Sequence, residues 1–504
     1  MLVVAVACAW PLVALAVRGS SLPGPASSST WHRLVSSGIG TALVNTVVQA
    51  FGSTLASLML GVPLGLVLGR YEFPGRRLTS ALTMAPFVLP SVVVGAAFVE
   101  LGGSWPTVAV IIAAHACFNA GFVARTVSAA VGDAGSDLIE AARSLGAPRR
   151  GVASVMIGAI RGRIAGVAVI VFALSATSFG VVLIVGGGGY RTLETEIWYQ
   201  STRALDLRVA TVIALAQLVV VLPIAALRLR PIETVGSANP GVRPRGRAWV
   251  PLGVIVTVSL ALVAVPLFEL VRASFQVGDG YGLDHYRHLG SIGAGTSAAV
   301  DVRAAAIRSM AFAAMATGIV ITVCVLGTVG GSPAGPVRRW AVALPMGVSG
   351  ATLGLGLLVG FGRSPLDLRG TVALVVMAHV VVALPLAGRV INDAVAAIPA
   401  EMIDAAADLG AGRWARWRTV VIPAARRPLA VAAGLSFAIA AGEVAAVSFL
   451  ARSDAPTLPL VISRLLGRSG EASRGQAMAA SCVLAALCLA VWFLVDLGRT
   501  RPPE

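Results

Sequence analysis

Twelve apolar blocks, most of them long enough to cross a bilayer as a helix, constrain this chain more than any other feature of its sequence. They run over about 1–17, 43–69, 81–101, 107–124, 164–185 and 209–228, and then 249–271, 309–330, 340–361, 371–388, 429–450 and 476–497. A helix needs roughly 17–25 apolar residues to span the hydrocarbon core. Hydrophobic residues fill 57% of the 504 positions and charged residues only 12%. Soluble domains carry about 25% charged residues, so a water-soluble fold of this composition could not cover its own surface. The expectation is an all-α integral membrane protein with about twelve transmembrane helices. Two readings are open for the first block: a signal peptide followed by the small residues Gly19 and Ser20, or a retained helix. The lack of a basic region ahead of it favours the retained helix.

The net charge of +16 is carried without a single lysine, since all 39 basic residues are arginine. A basic balance can mark a nucleic-acid binder, whose charges cluster on one soluble face. Here the arginines sit in short segments between apolar blocks, which is the pattern of the positive-inside rule. With the N-terminus in the cytoplasm, about 24 of the 39 fall inside, among them Arg70, Arg76, Arg77, Arg338 and Arg339. A multi-pass protein of the plasma or inner membrane is therefore expected, with lipid as its main surroundings and no nucleic-acid partner. Cys8, Cys117, Cys324, Cys482 and Cys488 all lie inside apolar blocks and none has metal-ligand spacing. Residues 230–248, rich in Pro, Gly and Arg, read as a linker and divide the chain into halves at 1–235 and 236–504.

The two halves are related. Shifted by 264 positions, His115 falls on His379, Arg125 on Arg389, Glu140 on Asp404, Ala141 and Ala142 on Ala405 and Ala406, Gly146 on Gly410, and Arg163 on Arg427, with no gap between. What repeats is a loop of about 40 residues, over about 125–163 and 389–427, between the fourth and fifth block of each half. Connections between packed helices are usually 2–8 residues, so a long loop recurring in both halves suggests a docking element. In the first copy Asp137, followed three positions on by Glu140, makes a capping-box arrangement, and Gly146 supplies a helix stop. In the second, Pro399 suits a first helical turn and Gly410 ends it. A second short helix is expected over about 148–158 and 412–422, stopped by Pro423 in the second copy.

Glu140-Ala-Ala-x-x-x-Gly146 and Asp404-Ala-Ala-x-x-x-Gly410 resemble the EAA loop of type I ABC importer permeases. The family pattern continues into I-x-L-P, which the second copy keeps as Val420-Val-Ile422-Pro423, while the first reads Met156-Ile157-Gly158-Ala159 and lacks the proline. The resemblance covers roughly 41–228 and 305–497 and implies the type I permease fold, two homologous six-helix halves fused in one chain. It further implies two copies of a separate ATP-binding subunit and an extracytoplasmic solute-binding protein as partners. Glu140, Ala141, Ala142, Gly146, Asp404, Ala405, Ala406, Gly410 and Pro423 would then form the two ATPase-coupling loops. The chain would hold no catalytic residue, metal or cofactor of its own, with ATP and Mg bound by the partner. A Walker A loop needs a lysine on the phosphates, and this chain has none. Residues 178–200 resemble the ferric-iron and thiamine branch of fused permeases, without choosing between the two cargoes.

Ionisable residues inside spans are costly and often functional. Glu443, placed near the middle of the eleventh block, His115 and His379 in equivalent blocks, and Glu100 near the outer end of the third are candidates to line a path for solute. The competing reading for each is interhelical hydrogen bonding that fixes packing. Trp414 and Trp417, one helical turn apart on the second loop, could anchor at the lipid interface or fill a partner's groove. A twelve-span secondary transporter is the alternative function, but its long loop would fall between the halves. A membrane-embedded enzyme would need a clustered nucleophile or metal set that this chain lacks.

Overall fold

The computed structural model describes residues 2–22, 24, 29–133, 141–226, 242–290, 301–329, 348–362, 367–452 and 454–497. The expected boundary between halves, at 235 and 236, lies outside the described residues. Helices dominate. The first half holds α1 (Leu2–Arg18), α2 (Thr30–Ser36), α3 (Ile39–Arg70), α4 (Arg76–Val88), α5 (Ser91–Gly102), α6 (Thr107–Asp133), α7 (Arg149–Ala176), α8 (Gly180–Gly186), α9 (Leu193–Thr202) and α10 (Leu207–Ala226). The second holds α11 (Trp249–Phe275), α12 (Val302–Val329), α13 (Gly350–Gly360), α14 (Val372–Ala396), α15 (Ala400–Asp408), α16 (Arg413–Arg416), α17 (Ile422–Gly442), α18 (Val447–Leu450), α19 (Leu458–Leu466) and α20 (Glu471–Leu497). One two-stranded hairpin, Gln276–Val277 against Gly280–Tyr281, is the sheet among the described residues.

Eight helices among the described residues are long and apolar enough to cross a membrane. A ninth candidate is the pair α4–α5, bent by 99° at Leu89–Pro90, where the proline favours extended backbone in the residue before it. Three shorter apolar helices, Ala9–Arg18, Leu207–Val219 and Gly350–Gly360, fall on the remaining blocks. Two further blocks are not continuous spans. The fifth, expected over 164–185, breaks after Ala176 and resumes at Gly180. The eleventh, expected over 429–450, breaks after Gly442 and resumes at Val447. The flanks of both breaks are so apolar that Thr177, Ser178 and Glu443 leave the mean hydropathy high, and one helix is read where the backbone makes two.

Helix α3 explains how such a chain packs in lipid. Val44, Val47, Val48, Phe51, Leu55 and Met59 recur at helical spacing and are exposed, while Thr46, Gln49, Ser53 and Ser57 on the other face are buried. The apolar face meets lipid and the polar, small face meets protein. Gly61, Gly65 and Gly69 bring α3 against α6 so closely that a Cβ on Gly65 would lie 2.6 Å from Val127 Cβ and 2.7 Å from the Ala124 carbonyl oxygen. Small residues four apart allow such backbone approach, which drives helix association where the hydrophobic effect does not.

The halves interleave. Helix α1 lies along α13: the Trp10 indole donates to the Gly360 carbonyl at 3.0 Å, and Arg18 donates to the Val359 carbonyl at 3.2 Å. In return α11 packs against α5, so the first long helix of each half embraces a short helix of the other. The repeat also extends beyond the loops. Thr192 and Thr457, 265 positions apart, are the N-caps of α9 and α19. The next residue in each half donates its backbone N–H to a hydroxyl of an early helix, Leu193 to Thr46 at 3.0 Å and Leu458 to Ser309 at 2.7 Å.

Candidate functional site

The repeated loops contain one turn built twice. Residues 141–144 are helical, Gly146 takes φ 76° and Gly410 φ 80°. In the first loop Gly146 N–H bonds the Arg143 carbonyl and Ala147 N–H bonds the Ala142 carbonyl; in the second, Gly410 bonds Ala407 and Ala411 bonds Ala406, all within 2.8–3.0 Å. This is the Schellman pattern, which needs a left-handed residue and hence glycine. Ala141 and Ala405 are exposed, and Ala142 and Ala406 are half-buried, in matching positions. Glu140 and the expected capping box with Asp137 lie outside the described residues. Asp404 is exposed on α15 and makes no ion pair with any described residue. Immediately before each glycine stands a leucine, Leu145 at 88% and Leu409 at 89% exposure. Sequence reasoning passed over this pair. The two large apolar side chains thus stand open at equivalent positions.

The expectation of a second short helix in each loop is corrected. In the first half α7 starts at Arg149 and runs unbroken into the fifth block. In the second, α16, a wide π-type turn over Trp417–Val421 and α17 form one rod from Arg413 to Gly442. Pro423 does not stop a helix; it sits in the first turn of α17. Proline lacks the N–H that would reach back four residues and its ring crowds that carbonyl, and the wide turn ahead of it accommodates both defects. Trp417 pins this turn. Its indole donates to Thr328 Oγ1 of α12 at 2.8 Å, and its ring stacks on Trp414 with centroids 5.0 Å apart. Trp417 is buried and Trp414 exposed.

The four ionisable residues named as candidates separate into different roles. His115 is buried and bridges three elements: Ser53 Oγ of α3 lies 3.1 Å from Nδ1, and Ser178 Oγ, in the break after α7, lies 2.8 Å from Nε2. His379 instead bonds the Val375 carbonyl in its own helix at 2.7 Å and meets the Phe312 ring edge-on. The equivalent histidines thus share a position and not a partner. Glu100 accepts from Arg474 Nε of α20 at 2.6 Å, an ion pair between the halves. Glu443 is not in the middle of a helix. It caps the end of α17 and accepts from Ala446 N–H across the break at 2.8 Å. Gly442 and Glu443 release the helix there, and the carboxylate takes up a freed N–H.

One acidic residue was missed. Glu194, at the start of α9, has no solvent exposure. Its Oε1 accepts from Gln217 Nε2 of α10 at 2.5 Å and its Oε2 from Ala351 N–H of α13 at 3.3 Å. Glu196, two residues on and on the opposite side of α9, is buried with Arg191 and Gln200 as partners. Glu443 Oε1 would lie 3.5 Å from a Cβ placed on Gly350, so the buried Glu194 and the half-buried Glu443 converge on the same end of α13.

A family model described as "Binding-protein-dependent transport system inner membrane component" matches the chain twice, over residues 61–231 and 291–499. PhnV of Salmonella typhimurium, whose name places it in a 2-aminoethylphosphonate transport system as a permease protein, is 32% identical over 146 residues, 29% of this chain and 54% of that protein. The chain therefore spans about half the length of that relative. PhnU of the same organism, named for the same system, is 29% identical over 271 residues, 48% of this chain and 92% of PhnU. The thiamine transport system permease protein ThiP of Brucella suis biovar 1 is 25% identical over 494 residues, 91% of this chain and 88% of ThiP.

Proposed function

The chain belongs to the family of binding-protein-dependent transport system inner membrane components, and from that premise we propose that it is the permease subunit of an ATP-driven importer, coupled to a separate ATPase through its two glycine-turn loops. It is a multi-pass, all-α membrane protein with the type I ABC permease fold in fused two-half form. The observation that carries the coupling reading is the twin Schellman turn, with Leu145 and Leu409 exposed beside Gly146 and Gly410. The same turn at the same place in both halves suits two copies of one ATP-binding subunit. The lysine-free sequence leaves the phosphate-binding lysine to that subunit. An extracytoplasmic binding protein would deliver the solute, and Glu443, with His115 holding the break at Ser178, would border its passage.

Thiamine is the first cargo candidate, supported by the likeness to ThiP along 91% of this chain. A second reading, 2-aminoethylphosphonate, is favoured by the likeness to PhnU and PhnV. Ferric iron has the sequence resemblance alone. The test is to purify the cognate binding protein and follow its melting with each of the three ligands, since a bound ligand raises apparent stability by mass action. Stabilisation by thiamine alone supports the first reading; no response to any of the three removes them all. The coupling reading is tested by Gly146→Val and Gly410→Val, which should leave ATP hydrolysis running while uptake falls. Normal uptake in both variants would sink it.

A further inference from the structure

Helix α13 has its N-terminus capped from two sides. From its own side, Ser349 is the N-cap and accepts the Thr352 N–H at 3.1 Å. The Ala351 N–H, one of the donors that no helix can satisfy internally, is taken by Glu194 Oε2 at 3.3 Å. Glu194 belongs to the other half, 157 residues away. A carboxylate at a helix N-terminus also meets the positive end of the macrodipole. The opposite side of the same carboxylate is held by Gln217, from its own half. Glu194 is therefore shared between the halves, and the second-half share is a helix end.

The repeat supplies the control. Thr192-Leu193-Glu194 corresponds to Thr457-Leu458-Pro459, and α19 packs on α5 as α9 packs on α13. On that side the helix end carries Pro90 as its N-cap in place of Ser349, and Pro459 replaces the glutamate. The same junction is thus built once with a buried carboxylate and once with prolines. The architecture does not need the charge, and burying a carboxylate without full pairing is costly.

We propose that Glu194 is a positioning residue that latches the two halves together, capping α13 from across the junction and setting how readily the halves part there. The inference rests on the permease reading above and takes the passage of a solute to require the two halves to move apart at this junction. While the junction is closed the carboxylate is satisfied by Gln217 and α13. When it opens, Glu194 loses the α13 N–H and must take water in its place. Glu443 stays with α13, because both belong to the second half, and its negative charge at the same helix end eases the release.

The experiment uses the full chain assembled with its ATPase subunit in lipid nanodiscs, as wild type, Glu194→Gln and the exchange variant Glu194→Gln with Gln217→Glu. Amide hydrogen exchange at Ala351 reads the latch directly. Loss of a charge-assisted bond should speed exchange there by roughly tenfold, with exchange in α5 at Val92 unchanged. The exchange variant restores a carboxylate–amide pair in the same space but still presents an amide at position 194 to Ala351, so Ala351 should exchange as fast as in Glu194→Gln. ATP hydrolysis without binding protein should rise severalfold in Glu194→Gln and in the exchange variant alike, at unchanged KM for ATP. Unchanged exchange at Ala351 in Glu194→Gln, or wild-type protection there in the exchange variant, overturns the latch. Faster exchange with unchanged basal hydrolysis overturns its link to the cycle. A Glu194→Gln chain that fails to assemble while the exchange variant assembles normally would make Glu194 a folding requirement and overturn the proposal as well. Failure of the chain to bind any ATPase would instead sink the permease reading and leave the exchange result in the isolated chain standing.

Discussion

Leu145 and Leu409 are exposed at 88% and 89% on turns whose glycines are held at positive φ. A leucine so open contributes nothing to the stability of the free chain. Buried against a partner it would be worth about 1.5–3 kcal/mol. Leu409→Ala should therefore leave the melting temperature of the isolated chain unchanged and weaken its hold on the ATPase subunit by about tenfold or more, read by a binding titration. A fall in melting temperature with unchanged affinity would count against the docking role. These turns were legible in the sequence because their determinants are local: an Ala-Ala pair, three residues and a glycine fix the Schellman geometry wherever they stand. Glu194 was not legible. In the row RTLETEIWYQ it reads as one of two acids in a polar stretch, and its burial is decided by Ala351 and Gln217, which no local pattern brings near.

At the scale of elements, the sequence placed a helix on each of the twelve blocks, because block length and composition decide that much. It misjudged where helices stop. The breaks at 177–179 and 443–446 lie inside apolar composition, and the wide turn at Trp417–Val421 merges a loop helix into a span. Polar residues were the available signal: Thr177 and Ser178 in one half, Gly442 and Glu443 in the other. The glycine stripe of α3 was also present in the sequence and unread. Gly65→Val should drive the new side chain into Val127 and the Ala124 carbonyl, where overpacking costs about 1–3 kcal/mol. The expected result is a lower melting temperature in detergent, while Gly158→Val, at a position with open space around its Cα, should melt as wild type. The Trp417–Thr328 bond makes a second prediction. Trp417→Phe and Thr328→Val should each cost about 1 kcal/mol, and the double variant should cost no more than the worse single one, as expected of one shared contact. Additive losses would show that the two residues act apart.

For the whole molecule, the interleaving of the halves decides what each can do alone. Helix α13 is covered by α1 along Trp10, Pro11 and Arg18 and capped by Glu194, all from the first half. Helix α5 is covered by α11 and tied by Glu100 to Arg474 of α20, all from the second. The surface ion pair adds little by itself, about 0–1 kcal/mol, but the helix contacts bury whole faces such as Leu355 and Ala351. Neither half therefore carries a complete core. A covalent join through 230–248, rich in Pro, Gly and Arg, raises the effective concentration of one half near the other only to about millimolar levels. Residues 1–235 and 236–504 expressed as two chains in one membrane should consequently find each other and co-purify as a one-to-one complex with near-native melting. Either piece expressed alone should aggregate or be degraded, with α13 or α5 left uncovered. Stable, separately purified halves that do not recombine would show that the join, and not the exchange of α1 and α11, holds the molecule together.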